Sequence, residues 1–210
     1  MKLRLPNIIP VFPLSGVIYF PKTNLPLNIF EPRYLDLFND SMESNKYIGM
    51  IQFKKNSSEV YSVGCLGKIT ENKKIKDGRL LVNLVGITRF EIKTETDNKK
   101  RYREFEVTYD KFKNDLNEKK EQLDKVGTIE ALSEKIKIFF KRNGLLLNWK
   151  EFEKLDQNQR INTLAMIAPI SDEEKQTILE SINIKSKADI LSQIIEFYMH
   201  ENSTNNTMVQ

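Results

Sequence analysis

One cysteine and one histidine in 210 residues leave little of the chemistry most enzymes use. The single thiol, Cys65, excludes an internal disulfide and fits a reducing compartment. With so few thiols and imidazoles the usual zinc ligand sets are out of reach. His200 adjoins the polar C-terminal stretch with no partner residues nearby in sequence, which argues against a general base. No G-x-x-x-x-G-K-[ST] segment occurs, so the chain has no P-loop signature. The glycines of "GCLGK" are spaced for strand bends, and nothing singles out a Ser–Lys dyad. Long apolar runs are missing too: no stretch approaches the ~20 residues of a membrane span. Pro6, Pro10 and Pro13 interrupt any signal-like run at the start. Nor is there a large excess of one charge. Lys and Arg number 33 against 29 Asp and Glu, a net +4 that general lysine-rich usage accounts for. The expectation is a cytoplasmic protein that is not an enzyme, holds no cofactor or metal and has no membrane contact.

What is present falls into two patterns. From Ile8 to about Asp110 the apolar residues recur with period two. "IIPVFPL" reads as an edge strand, because Pro10 and Pro13 cannot donate to a central ladder. "NLPLNI", "YIGMIQF" and "VGCLGKITE" follow as strands. Asp77-Gly78 marks a hairpin into an apolar strand from Leu80 to Val85, after which "ITRFEIK" and "REFEVTYDKF" supply two more. Short strands with turn signals suggest a small, closed or nearly closed sheet. One helix is expected here, starting at Pro32, whose missing N–H costs nothing in the first turn. Tyr34, Leu35, Phe38 and Met42 then recur at helical spacing.

Beyond a charged segment, "KFKNDLNEKKEQLDK", the period becomes 3.6. Ile129, Leu132, Ile136, Phe139 and Phe140 form one stripe; Ile161, Leu164, Ala165, Ile167 and Ala168 form a second, stopped by Pro169. Ser171 with Glu174 is a capping box opening a third helix, and Ile190, Leu191, Ile194, Ile195 and Tyr198 line a fourth. The fold class expected is α+β: a β-subdomain over 1–112, helices over 113–200, and a polar, disordered tail over 201–210. Two basic clusters, Lys73-Lys74-Ile75-Lys76 and Lys99-Lys100-Arg101, sit at expected hairpin ends. Neither is interleaved with aromatics as a single-strand nucleic-acid platform would be, so solvated charge is the reading.

The segment "PVFPLSGVIYFPKTNLPLNIFEPRY" strongly resembles the opening signature of the Lon protease amino-terminal family, the LON substrate-binding domain. The likeness continues through "IGMIQF", "VGCLGKITENKKIKDGRLLVNLVGITRFEI" and "NTLAMIAPISDEEKQTILE". Lys22 stands where that family commonly has glycine, and Asn28 where it often has histidine. The resemblance implies a PUA-like β-barrel with one helix, followed by a helical bundle. It also implies a free-standing bacterial member, without the ATPase and peptidase domains of full-length Lon. The implied function is non-catalytic protein or peptide binding, with an adaptor or regulator role in quality control. Partners would be unfolded or exposed apolar protein segments, or full-length Lon or another protease. RNA binding is the alternative, since PUA-like barrels elsewhere bind RNA.

At the strand-to-helix joint, Phe30, Glu31, Arg33, Tyr34 and Asp36 are the candidate partner-binding residues. A structural role competes with that reading. Glu31 would favour the positive end of the helix dipole, Arg33 could clamp the joint to a neighbouring strand, and Phe30 and Tyr34 would be buried.

Overall fold

A computed structural model describes residues 4–117 and 126–205, with side chains over 4–117 and 130–200. The chain divides into two compact units, Met1–Asn117 and Glu118–Gln210. In the first, six strands are described: β1 (Ile8–Leu14), β2 (Asn24–Ile29), β3 (Tyr47–Gln52), β4 (Val63–Lys74), β5 (Leu80–Glu95) and β6 (Arg103–Thr108). Helix α1 (Pro32–Glu43) lies between β2 and β3, and a 3-10 helix, Asp110–Leu116, follows β6. The strand order is β2-β5-β4-β3-β1-β6, and β6 also pairs with β5. The pairings thus return upon themselves through five strands, with β2 left outside.

The prolines of β1 do not put it at an edge. It runs parallel to β3 on one side and antiparallel to β6 on the other. The two partners are offset along it: β6 covers Ile8 to Val11 and β3 covers Val11 to Leu14. Pro10 and Pro13 each fall where only one neighbour is present, so no ladder needs the N–H they lack. The edge is β2, whose burial alternates strictly, with Leu25, Leu27 and Ile29 inward. Gly86 donates its N–H to the Thr23 carbonyl at 2.9 Å. Ladder alternation from that bond turns the backbone of Asn24, Pro26 and Asn28 away from β5. Pro26 therefore removes a donor from the open edge, which discourages pairing with another strand.

The two strands expected over Leu80–Val85 and "ITRFEIK" are one strand of 16 residues. Its ladder with β4 shifts register at Leu66/Gly67, leaving Ile87 bulged between Gly86 and Thr88. Gly86 is required there: a Cβ would lie 2.3 Å from the Phe20 carbonyl oxygen. That contact belongs to a turn in which Lys22 donates its N–H to the Gly86 carbonyl at 2.8 Å. Lys22 holds a φ of 61°, the left-handed region that glycine enters at no steric cost. The physical demand behind the expected glycine is thus present, and this chain meets it with lysine.

Inside the sheet, Ile9, Val11, Tyr47, Ile51, Leu66, Phe90, Phe105 and Val107 form one apolar cluster. Cys65 is fully buried in β4, as a small apolar residue would be. Beside the cluster lies a group that the sequence pattern did not disclose. Arg89, 1% exposed, donates from Nε to Asp115 Oδ2 at 2.9 Å and from Nη2 to Oδ1 at 2.8 Å. Its backbone N–H meets the same carboxylate, and its guanidinium covers the Phe112 ring at 4.2 Å. This pair fastens the 3-10 helix to β5.

The second unit contains α2 (Val126–Arg142), α3 (Trp149–Phe152), α4 (Gln157–Ile167), α5 (Asp172–Glu180) and α6 (Ile184–Asn205). The expected stripes of α2, α4 and α6 supply buried Leu132, Ile136, Phe139, Phe140, Ile161, Leu164, Leu191 and Ile195. The side chain of Ile129 lies outside the described residues. Ser171 and Glu174 form the capping box at α5, and Asp156 with Gln159 forms another at α4. Lys187, 3% exposed, donates to Asn162 Oδ1 at 3.0 Å within these helices. Helix α6 continues through Asn205; residues 206–210, part of the expected tail, are outside the described residues.

Candidate functional site

The site begins where β2 becomes α1. Ile29 ends the strand facing inward, and Glu31, extended at φ −71° and ψ 132°, is the N-cap ahead of Pro32 at N1. The Glu31 carbonyl accepts from the N–H groups of Tyr34 and Leu35, both at 3.0 Å, closing the first turn. Its side chain makes no cap hydrogen bond. It accepts instead from Arg33 Nε at 2.9 Å.

Three expectations for this joint are corrected. Arg33 clamps no neighbouring strand, because its guanidinium folds back onto Glu31, leaving the pair 51% and 44% exposed. Phe30 is not buried but 62% exposed, since the alternation of β2 turns it outward. The apolar face of α1 is also rotated by a residue. Tyr34, Leu37, Phe38 and Ser41 are buried, while Leu35 and Met42 are only partly covered. Tyr34 is buried as expected, its ring stacked on Phe12 at 3.8 Å. Burial pushes its pKa up, reinforced by Glu31 and opposed by Arg33 and Arg103.

Arg33 and Tyr34 open onto a cleft of about 430 Å³. Its other walls come from Pro13 of β1, Phe53 and Ser58 after β3, Glu95 at the end of β5, and Arg101, Tyr102 and Arg103 at the start of β6. Arg103 grips Glu95 through two bonds of 2.7 Å, from Nε and Nη2. That bidentate bond lowers the Glu95 pKa. Tyr102 donates to Asp40 Oδ2 at 2.5 Å. Burial, then that bond, pushes its pKa up to about 12. Lys100 contacts Glu104 at 2.8 Å and Asp40 at 3.8 Å. Arg101 approaches Asp36 only to 3.6 Å. Aromatic and apolar surface therefore floors the cleft, and guanidinium groups line its walls.

Of the candidate residues, Arg33 and Tyr34 line this cleft and Asp36 flanks it through Arg101; Phe30 and Glu31 are not among its walls. The β5–β6 contributions were missed because they lie far along the chain, and Lys99-Lys100-Arg101 looked like solvated charge. A second depression of about 390 Å³ lies over β2, β4 and β5, with Pro26, Asn28, Lys73 and Leu81 in its lining. Among the described residues, no group of three or more His, Cys, Asp or Glu is placed to hold a metal ion. None of the described helices is long and apolar enough to cross a membrane.

Residues 8–196 match the family described as the ATP-dependent protease La (LON) substrate-binding domain. The Lon protease of Buchnera aphidicola subsp. Acyrthosiphon pisum is 28% identical over 202 residues, covering 90% of this chain and 25% of that protein. The Lon protease of Dictyoglomus thermophilum is 24% identical, covering 87% of this chain and 23% of that protein. The chain thus spans about a quarter of the length of the curated relatives it matches. Among solved structures, the N-terminal domain of Mycobacterium avium complex Lon protease superposes with a TM-score of 0.68 at 16% identity, covering 90% of this chain and 98% of that one. A Lon N-terminal domain protein from Xanthomonas campestris gives 0.66 at 17% identity, covering 88% and 96%. The fold is that of Lon N-terminal domains, and over nearly its whole length the chain belongs to the Lon substrate-binding domain family.

Proposed function

We propose that this chain is a non-catalytic recognition module for unfolded or exposed apolar protein segments, acting as an adaptor or regulator beside a proteolytic partner. We assign the contact to the cleft at the strand-to-helix joint, with Phe30, Glu31, Arg33, Tyr34 and Asp36 at or around it. The observation that carries the reading is the family match, which names substrate binding over residues 8–196. The cleft supports it: apolar surface for side chains beside a few oriented polar groups is the usual composition of a ligand pocket. On this reading the ring of strand pairings is a small PUA-like barrel carrying the site. RNA is the weaker partner, because the cations around the cleft already face carboxylates, Lys100 at Glu104, Arg103 at Glu95 and Arg33 at Glu31, rather than forming an open basic track for a phosphate backbone.

The test is titration of a fluorescently labelled protein in chemically unfolded and native forms. Saturable binding of the unfolded form alone is expected. Asp36→Ala, a change at a partly exposed side chain, is expected to alter that affinity measurably while the melting temperature stays nearly fixed. Equal binding of both forms, or binding of neither, removes the function. Unchanged affinity in Asp36→Ala removes this residue from the contact.

A further inference from the structure

Resting on that reading of the cleft, we propose that it selects protein segments carrying a carboxylate beside an apolar side chain. The carboxylate can come from the end of a chain or from Asp or Glu. The apolar component would meet Pro13, Phe53, Tyr34 and Tyr102, all in the cleft lining. A volume of about 430 Å³ suits a few side chains rather than a folded surface.

The carboxylate is argued from how the three arginines are spent. Arg103 is committed, with Nε and Nη2 on Glu95 and Nη1 on the Ser58 carbonyl at 3.4 Å. This also neutralises Glu95, the one carboxylate in the cleft lining. Arg33 places Nε and Nη2 on a single oxygen of Glu31, both at 2.9 Å, and that carboxylate stands outside the lining. The Arg33 guanidinium carbon lies 4.5 Å from the centre of the Tyr34 ring. Arg101 is the least spent. Its side chain is 70% exposed, its carboxylate neighbour stands at 3.6 Å, and it donates no side-chain hydrogen bond among the described residues.

A guanidinium carries five donors in a fork that fits a carboxylate edge to edge. Arg101 therefore offers a fork held only by a 3.6 Å ion pair, and Arg33, in the same lining, adds an Nη1 that is not on Glu31. The resident partners, Glu31 and Asp36, hold exposed pairs of the kind that compete weakly with an incoming anion. What remains after internal pairing is spare guanidinium donor capacity beside aromatic surface, which is complementary to an acid-and-apolar segment.

The experiment uses the full chain and two matched pairs of fluorescein-labelled apolar peptides. One pair differs in a free C-terminal carboxylate against a C-terminal amide. The other, amidated throughout, differs in one internal Glu against Gln. The acidic member of at least one pair is expected to bind roughly five- to tenfold tighter, as one or two charge-assisted hydrogen bonds imply. The pair with the larger ratio identifies the source of the carboxylate. The ratio is expected to fall toward one in Arg101→Gln and to invert in Arg101→Glu, and to shrink with added salt. Melting curves verify that both variants fold. Equal binding of acidic and neutral peptides overturns the carboxylate preference but leaves segment recognition standing. A preference that persists unchanged in Arg101→Glu overturns the assignment to this wall. Binding of neither peptides nor unfolded protein overturns the preference and the function together.

Discussion

Two arginines in the first unit share a description and differ in consequence. Arg33, in "FEPRY", lies against a carboxylate at 2.9 Å and a tyrosine ring at 4.5 Å. Arg89, in "GITRF", lies against a carboxylate at 2.8 Å and a phenylalanine ring at 4.2 Å. The first side chain is 51% exposed and the second 2%. In water the charges exchange one set of partners for another at small net gain. Inside the sheet neither charge can turn to bulk water, so removing one leaves the other buried without its opposite charge. The conspicuous motif therefore holds the weaker pair, and a motif's visibility in sequence says little about the energy it carries.

The comparison breaks most readily at the buried pair. Asp115→Ala leaves the Arg89 guanidinium enclosed without its carboxylate and should cost about 3–5 kcal/mol. That is a large part of the roughly 5–15 kcal/mol that holds a domain folded. Urea or thermal unfolding measures it, and a loss below about 1 kcal/mol would mean the site takes in water and the contrast is false.

The distinction between enclosed and open polar groups extends to the tyrosines. Burial raises the pKa of Tyr19, Tyr102 and Tyr109, with Tyr102 at about 12. An unfolded tyrosine ionises near ~10, so between that pH and 12 the folded chain retains protons that the unfolded chain releases. Stability dependent on these hydroxyls is thus complete below pH ~10 and lost as pH climbs through the folded values. Ultraviolet titration of phenolate alongside circular dichroism should show these rings ionising late and together with loss of structure. Titration of every tyrosine near pH 10 in an intact fold would contradict it.

The smallest effect is expected at the motif itself. Arg33→Ala should change stability by about 0–1 kcal/mol, since both partners are half exposed and only two positions apart in the chain. A loss near that of Asp115→Ala would show that the joint is braced in a way its geometry does not indicate.

Much of this architecture was readable from local pattern, and what escaped depended on distance along the chain. Pro32 at N1, the Ser171–Glu174 box and the Asp77-Gly78 turn each require only residues a few positions apart, and each is where the pattern put it. The neighbours of β1 were misread because proline reports only that a donor is absent, not how far each flanking strand extends. Phe30 was misread because aromatic character outweighed the alternation already visible in Leu25, Leu27 and Ile29. Arg89 and Asp115 sit 26 positions apart, and nothing local to either announces the other. The cleft had the same difficulty: Arg33 and Tyr34 stood in a recognisable motif, whereas Arg101 looked like ordinary solvent-facing charge and Arg103 only like the start of a strand.

The offset of β1 between its two partners also bears on how the sheet is assembled. Ile8 pairs with Glu106, so the first strand must wait for one of the last elements of its unit before its second ladder can form. Contacts of such long sequence separation carry a large loop-closure entropy and slow the search for the native topology. During synthesis residues 8–14 emerge early, and their half-paired strand stays open to wrong partners until residues 103–106 arrive. Pro10 and Pro13 limit that exposure, because a strand that lacks two of its donors is a poor template for a stranger.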